Sequence, residues 1–334
     1  MRRILVWVGV VLSAVLLILA LRGLKLEEFA QNLGKANLLW LIPGILAYFV
    51  AVAVRAWRWA YLLRGAVPDR DKEHRVSWRR LFPIVVIGYM GNNIYPARIG
   101  EIVRAYVLQR KEQVPIPFSL ATVFLERLLD AIVMVAFVLI GLPNVVNLPE
   151  QVQAGITVAS IIFAIATAIF FWLALAPHTA ERIATAIITR LVPARLQPVL
   201  IGFVSKFVAG MSCLRRPADL LVVISSSALI WLIETIKYWC IAQGFYLTVS
   251  FVDLMLVNGI SNLFTVIPAL PGAVGTFDTG SIIALTALGV AREAASAYTL
   301  VLHVALWLPV TLLGAFFMLC EGLKWTDLKR VAGD

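Results

Sequence analysis

Charged side chains are scarce: 14% of the 334 residues, where an ordinary soluble domain carries roughly 25%. A water-soluble globule of this length needs far more polar surface than that. Cysteine is nearly absent. Cys213, Cys240 and Cys320 have no metal-ligand spacing, which excludes a disulfide framework, and Cys240 and Cys320 fall in apolar runs where buried thiols are expected. Of three histidines, His74 and His178 lie between apolar runs, while His303 lies within one and reads as a packed, hydrogen-bonded side chain. The sequence has no paired acidic metal motif and no nucleophile–base constellation, so neither an enzyme nor a bound metal or cofactor is expected. Acidic residues are the minority, 19 Asp+Glu against 29 Lys+Arg, giving a formal charge of +10. The cations sit between apolar runs, where they act as topology signals and contacts for anionic headgroups, so a nucleic-acid partner is rejected.

What is abundant is apolar surface: 61% hydrophobic residues and a mean hydropathy of +0.90. The chain reads as an all-α polytopic membrane protein, a single membrane domain over 1–334. Spans need about 20 apolar residues each. Six runs are long enough, at about 4–21, 38–63, 118–141, 153–176, 218–246 and 294–320. Ile4–Leu21 follows Arg2-Arg3 but lacks a small-residue cleavage pattern, so it is expected as an uncleaved first span. Two further stretches, about 81–112 and 251–290, are apolar but broken by Pro, Gly, Asn and charge.

The connectors 64–80 and 177–217 and the tail with Lys324, Lys329 and Arg330 are basic, whereas 142–152 and 247–250 hold no Lys or Arg. The positive-inside rule then puts both termini and both connectors in the cytoplasm of a cytoplasmic-membrane protein. Arg22, Lys25 and Lys35 run against this, partly offset by Glu27 and Glu28. With that orientation, 81–112 enters and leaves on the cytoplasmic side and 251–290 on the outer side. The chain therefore reads as two inverted-topology repeats, about 38–141 and 218–320, each with a re-entrant or broken helical hairpin, plus additional spanning helices.

Four clusters carry polar chemistry. In the first hairpin, Pro96 and Gly100 cannot sit quietly in one continuous helix, Asn92 and Asn93 are suited to satisfying broken backbone, and Arg98, Glu101 and Arg104 recur every three residues, as one face of a following half-helix requires. A solvated loop is the alternative. Glu126, Arg127 and Asp130 open the span after it; charges at membrane depth cost roughly 2.5–3.5 kcal/mol each, so they need partners, water or the interface. They form a salt-bridge knot with Arg98 or Arg104, an anionic-ligand site, or both. Glu234 and Lys237, three residues apart in mid-span, either compensate one another or face a ligand. Arg55 and Arg58 read as snorkelling to headgroups. In the second hairpin, Asn258 and Asn262 share a helical face, and Pro271 is placed to open a half-helix whose free amides, at Gly272 and Ala273, attract an anion; a glycine-rich hinge with Gly272 and Gly275 is the alternative, with Asp278 close behind.

In this order, Asn92 with Pro96-Ala97-Arg98-Ile99-Gly100-Glu101 and Arg104, then Glu126-Arg127 with Asp130, then Pro268 with Pro271-Gly272-Ala273-Val274-Gly275 and Asp278 resemble the membrane domain of the lysylphosphatidylglycerol synthase/flippase family, over about residues 5–322. Two positions depart from its pattern: Ala273 stands where a second glycine is usual, and Asp278 where glutamate is. The resemblance implies translocation, by flipping or scrambling, of a lipid with an anionic, aminoacylated or glycosylated headgroup: a membrane phospholipid, or a polyprenyl-linked lipid or glycolipid. The soluble synthase domain of bifunctional members is not expected, which leaves room for a separate lipid-synthesising enzyme and for a homodimer. On this reading Arg98, Arg104 and Arg127 attract a phosphate. Glu101, Glu126, Asp130, Glu234 and Asp278 position those cations or face a cationic headgroup, Lys237 faces the headgroup, Asn92, Asn93 and Asn262 satisfy backbone, and Pro96, Gly100, Pro271, Gly272 and Gly275 act as hinges. An ion-coupled solute transporter or a lipid-modifying transferase are the other readings.

Overall fold

The computed structural model describes residues 24–66, 76–95, 98–145, 176–210, 217–266 and 270–323, with a few single positions outside these ranges. The runs 4–21 and 153–176 fall essentially outside the described residues, as do Pro96, Cys213 and the basic tail. Among the described residues the chain is helical throughout, with no strand.

The helices are α1 (Leu26–Lys35), α2 (Leu41–Leu62), α3 (Trp78–Ile94), α4 (Gly100–Glu112), α5 (Ile116–Gly141), α6 (Pro177–Leu191), α7 (Gln197–Gly210), α8 (Pro217–Gly244), α9 (Phe251–Phe264), α10 (Thr276–Ala287) and α11 (Arg292–Cys320). Leu38–Leu62, Ala218–Gly244 and Arg292–Cys320 are long and apolar enough to cross a membrane. At 26 residues α5 has the length as well, but Glu126, Arg127 and Asp130 interrupt its apolar character. Local signals set the boundaries. The Ser77 side chain accepts from the Arg79 N–H to start α3, and Tyr95, the residue before Pro96, is extended as proline demands of its predecessor. A reciprocal Ser250–Asp253 pair caps α9.

Two expectations change here. The connector 177–217 is largely a helical hairpin, α6 and α7, and α7 packs on α5. Pro271 opens only a single 3-10 turn, Pro271–Ala273. Gly272 sits at φ +72 and Ala273 at φ +59, the Ala273 N–H is used by the Leu270 carbonyl, and α10 starts later, after Gly275 at φ +88. The second half-helix therefore does not begin at Pro271, and the Ala273 N–H is not free.

Polarity is turned inside out relative to a soluble protein. Arg58 and Lys237 are 0% and 2% exposed, whereas Leu46 and Leu312 are each 62% exposed. The exposed apolar side chains of α11, Leu300, Val304, Leu308, Leu312 and Phe316, recur every four residues as one stripe down the helix. Such an outward apolar face and inward charged face suit hydrocarbon surroundings. Cys320, expected to be buried, is exposed at the end of α11; Cys240 is buried.

Segments 38–141 (the first unit) and 218–320 (the second unit) exchange packing partners reciprocally. The long helices α2 and α8 pack together; α3 of the first unit packs on α11 of the second, and α9 of the second packs on α5 of the first. The contacts correspond in detail: Gly314 lies against Val86 and Met90, and Gly141 against Val252 and Leu256. Asn93 donates to the Trp307 carbonyl, and Gly259 abuts the Met134 carbonyl. Arg58 reaches across to Ser227, and Lys237 to the ring of Tyr48.

Within the first unit α3 and α4 cross at glycines, as closely packed membrane helices commonly do. A Cβ on Gly100 would stand 1.9 Å from the Gly88 carbonyl oxygen and 2.5 Å from the Asn92 nitrogen. Both obstacles are backbone and cannot rotate away. Gly100→Ala is therefore expected to lower stability by at least the usual overpacking cost of about 1–3 kcal/mol, read as a lower melting temperature in detergent. Gly34→Ala, which has nothing within 4 Å, is the control and is expected to be neutral or slightly stabilising.

Candidate functional site

A cavity of about 490 Å³ lies where the two units meet, lined among others by Tyr48, Arg55, Tyr89, Asn92, Arg98, Arg127, Trp231, Glu234, Lys237 and Asn262. The breaks of both hairpins reach it. From the first comes Arg98, at φ +54, a left-handed conformation uncommon for a side chain of this size. Its Nη2 donates to Thr265 Oγ1 at 2.6 Å and to the Thr265 carbonyl at 3.2 Å, so it joins the first break to the second. From the second come Leu270, Gly272 and Ala273.

Behind the chamber runs a buried ion-pair network. Asp130, 1% exposed, accepts from Arg58 Nη1 at 2.8 Å and Arg55 Nη1 at 3.1 Å and forms an ion pair with Arg127 Nη2 at 3.3 Å. Glu126 stands 2.8 Å from Arg104 Nη2 and 3.7 Å from Arg58 Nε. Glu234 pairs with Arg55 at 3.3 Å and with Lys237 one turn along. Glu101 lies 3.8 Å from Arg127. Aromatic faces pack on the network: Arg104 sits 3.6 Å over the Trp59 ring, which is fixed by its own N–H to Thr122, and Arg55 sits 4.9 Å over Trp231. Asn92 Oδ1, Trp231 Nε1 and Arg127 Nε belong to residues lining the chamber and are buried without a hydrogen-bond partner among the described residues. Buried polar atoms of this kind call for a ligand or solvent.

The charge balance is uneven. Six cationic side chains, Arg55, Arg58, Arg98, Arg104, Arg127 and Lys237, meet four carboxylates, Glu101, Glu126, Asp130 and Glu234, and Arg98 has no carboxylate within 4.0 Å among the described residues. The arrangement suits an anion, because the buried cations outnumber the carboxylates and an incoming negative charge would find charge-assisted donors.

Of the residues singled out from sequence, Arg98, Glu101, Arg104, Glu126, Arg127, Asp130, Glu234, Lys237, Asn92, Asn93 and Asn262 come together around the chamber or in its network. Three readings are corrected. Arg55 and Arg58 do not snorkel: they are 5% and 0% exposed and turn inward, onto Asp130 and Glu234. Arg98 precedes α4 instead of sharing its face with Glu101 and Arg104. Asp278 is not part of the chamber; it lies in a separate, apolar groove with Phe29, Ile282 and Trp307, its Oδ1 2.6 Å from His303 Nδ1. Asn93 serves α11, donating to the Trp307 carbonyl and to Thr311, and Asn262 donates to the Asn258 carbonyl of its own helix and to the Tyr238 hydroxyl. Sequence reasoning missed Tyr48, Tyr89, Trp231 and Thr265, for which single side chains in apolar runs gave no signal.

No solved structure matches this chain. Among curated proteins, a UPF0104 membrane protein of Methanothermobacter thermautotrophicus is 26% identical over 310 residues, covering 89% of each chain. Another, from Methanocaldococcus jannaschii, is 22% identical over 317 residues, covering 92% of this chain and 93% of that protein. Glycosyltransferase AglD of Haloferax volcanii is 24% identical over 341 residues, which takes in 94% of this chain but only 54% of AglD. Residues 6–314 match the family described as the lysylphosphatidylglycerol synthase TM region. Since that match takes in nearly the whole length, the chain belongs to this family of membrane proteins.

Proposed function

We propose that the protein moves a lipid with an anionic, phosphate-bearing headgroup across the cytoplasmic membrane, without covalent chemistry on the lipid. The headgroup passes through the chamber while the acyl tails stay in hydrocarbon. The observation that carries this is the excess of six buried or chamber-lining cations over four carboxylates, with Arg98 left over at the junction of the two breaks. A cationic, aminoacylated headgroup fits that balance poorly. Hydroxyl-rich anionic headgroups fit it well, since Asn92, Asn262, Tyr48 and Tyr89 supply neutral donors and acceptors.

In this reading, 38–141 and 218–320 are inverted-topology repeats whose broken hairpins enter from opposite faces, with both termini and both basic connectors in the cytoplasm. The reciprocal contacts support it: each unit lends its first hairpin arm to the last helix of the other. Arg55 and Glu234, one from each long helix, meet between the units.

Purified protein reconstituted into vesicles of phosphatidylglycerol tests the proposal. Tail-labelled phosphatidylglycerol is expected to change leaflets at least about tenfold faster than in empty vesicles, and labelled lysylphosphatidylglycerol more slowly, since each tenfold corresponds to only about 1.4 kcal/mol of barrier. If every lipid class behaves as in empty vesicles, translocation is wrong. The likeness to AglD raises a second reading, glycosyl transfer to or from a lipid carrier. Turnover of a lipid-linked sugar donor by the pure protein would establish it.

A further inference from the structure

A hydrogen-bonded histidine–aspartate couple lies outside the cation network. His303 on α11 presents Nδ1 to Asp278 Oδ1 at 2.6 Å and Nε2 to the Gly272 carbonyl oxygen at 3.0 Å. A neutral imidazole has one donor and one acceptor nitrogen. A carbonyl only accepts, so Nε2 must carry hydrogen. A second proton must then lie between Nδ1 and Asp278, whether as imidazolium and carboxylate or as imidazole and carboxylic acid. Either way the couple holds two protons and has no net charge, which suits a place in a membrane-spanning helix.

Removing one proton leaves a carboxylate and an imidazole with a single N–H for two acceptors. One contact is then lost, to Asp278 or to the Gly272 carbonyl. The segment held by those contacts is the turn Pro271–Gly275, with Gly272, Ala273 and Gly275 all at positive φ, and Asp278 also accepts from the Gly275 N–H at 2.8 Å. Gly272 and Ala273 line the chamber, while Asp278 and His303 line the groove beside it. The proton therefore holds in place the wall between the two.

Charged groups of the neighbouring elements turn elsewhere. Glu234 and Lys237 of α8 pair with one another and with Arg55 of α2, Arg80 of α3 with Glu112, and Lys25, preceding α1, with Glu28. From α10 the charged partner is Asp278, and from α1 the groove receives Phe29.

We infer that His303 and Asp278 bind a proton that travels with the headgroup, so that translocation is coupled to a proton gradient. This rests on the translocation reading above. An anion in the chamber and the proton on the couple favour one another, because loss of the proton would leave a net negative charge on the couple, across the Pro271–Gly275 turn from the bound phosphate; that reciprocity makes the two co-substrates.

The test has two arms. In phosphatidylglycerol vesicles, wild-type exchange of tail-labelled phosphatidylglycerol is expected to differ about tenfold between the two polarities of an imposed pH gradient, within the usual range of coupling between sites. His303→Gln and Asp278→Asn are expected to lose that difference, whether or not their exchange at equal pH is slowed. A wild type indifferent to polarity, or a variant that keeps the difference, overturns the proposal. The second arm needs no transport: infrared difference spectra of the purified protein between acidic and alkaline buffer are expected to show a carboxyl or imidazole change in wild type that Asp278→Asn and His303→Gln both lack. Its absence from wild type overturns the proton site, whereas its presence without any lipid exchange sinks only the translocation reading.

Discussion

Asparagine at position 130 is expected to lower the protein's stability by about 3–5 kcal/mol, the usual cost of stripping one partner from a buried ion pair. The side chain stays the same size, so no cavity is made. What goes is the one carboxylate shared by Arg55, Arg58 and Arg127 at 3.1, 2.8 and 3.3 Å. Arg58 is fully buried and retains only the 3.7 Å contact with Glu126 and its bond to Ser227. Three cations then repel one another with little water to screen them, and Arg58 with none. Thermal unfolding in detergent checks this, with Arg58→Met added as a second change. Removing one of the stranded cations is expected to recover part of the loss, so the double variant is more stable than Asp130→Asn alone and the two effects are not additive. A melting temperature within error of wild type would mean that the network is wet and loosely held.

The membrane class and the interruptions between α3 and α4 and between α9 and α10 were legible because hydropathy and backbone chemistry are local properties: Pro96, Gly100, Pro271 and Gly272 interrupt apolar runs whatever surrounds them. The fate of Arg55 and Arg58 was less so. Their closeness to the basic connector suggested headgroup contact, but helical periodicity sets them opposite the exposed stripe of Ile42, Leu46, Val50 and Trp57, and that was the better signal. The pairing of Asp278 with His303 was not legible, since 25 residues separate them and the intervening turn alone decides their approach. For the same reason Pro271 misled. A proline can open a helix, yet the left-handed Gly272 that follows it ends the turn at once. Thr265, which receives Arg98, is a lone hydroxyl after a helix, and nothing in the sequence marks its partner.

Arg98 separates fold from function most sharply. Its side chain is exposed, has no carboxylate within 4.0 Å among the described residues, and touches the rest of the protein by hydrogen bonds to Thr265. Arg98→Ala is therefore expected to change stability by no more than about 1 kcal/mol, as for other weakly tied surface charges. Its effect on translocation is expected to be large. A charge-assisted hydrogen bond contributes about 1.5–3 kcal/mol, so leaflet exchange of labelled phosphatidylglycerol should slow by roughly ten- to a hundredfold at 1.4 kcal/mol per tenfold. Arg98→Lys keeps the charge but loses the planar fork and should fall between the two. The loss should also depend on the headgroup: severe for anionic lipids, slight for a zwitterionic one that crosses slowly to begin with. If Arg98→Ala instead melts like Asp130→Asn, or slows every lipid equally, Arg98 is a brace between the two breaks and the phosphate must be drawn in by Arg127 and Lys237.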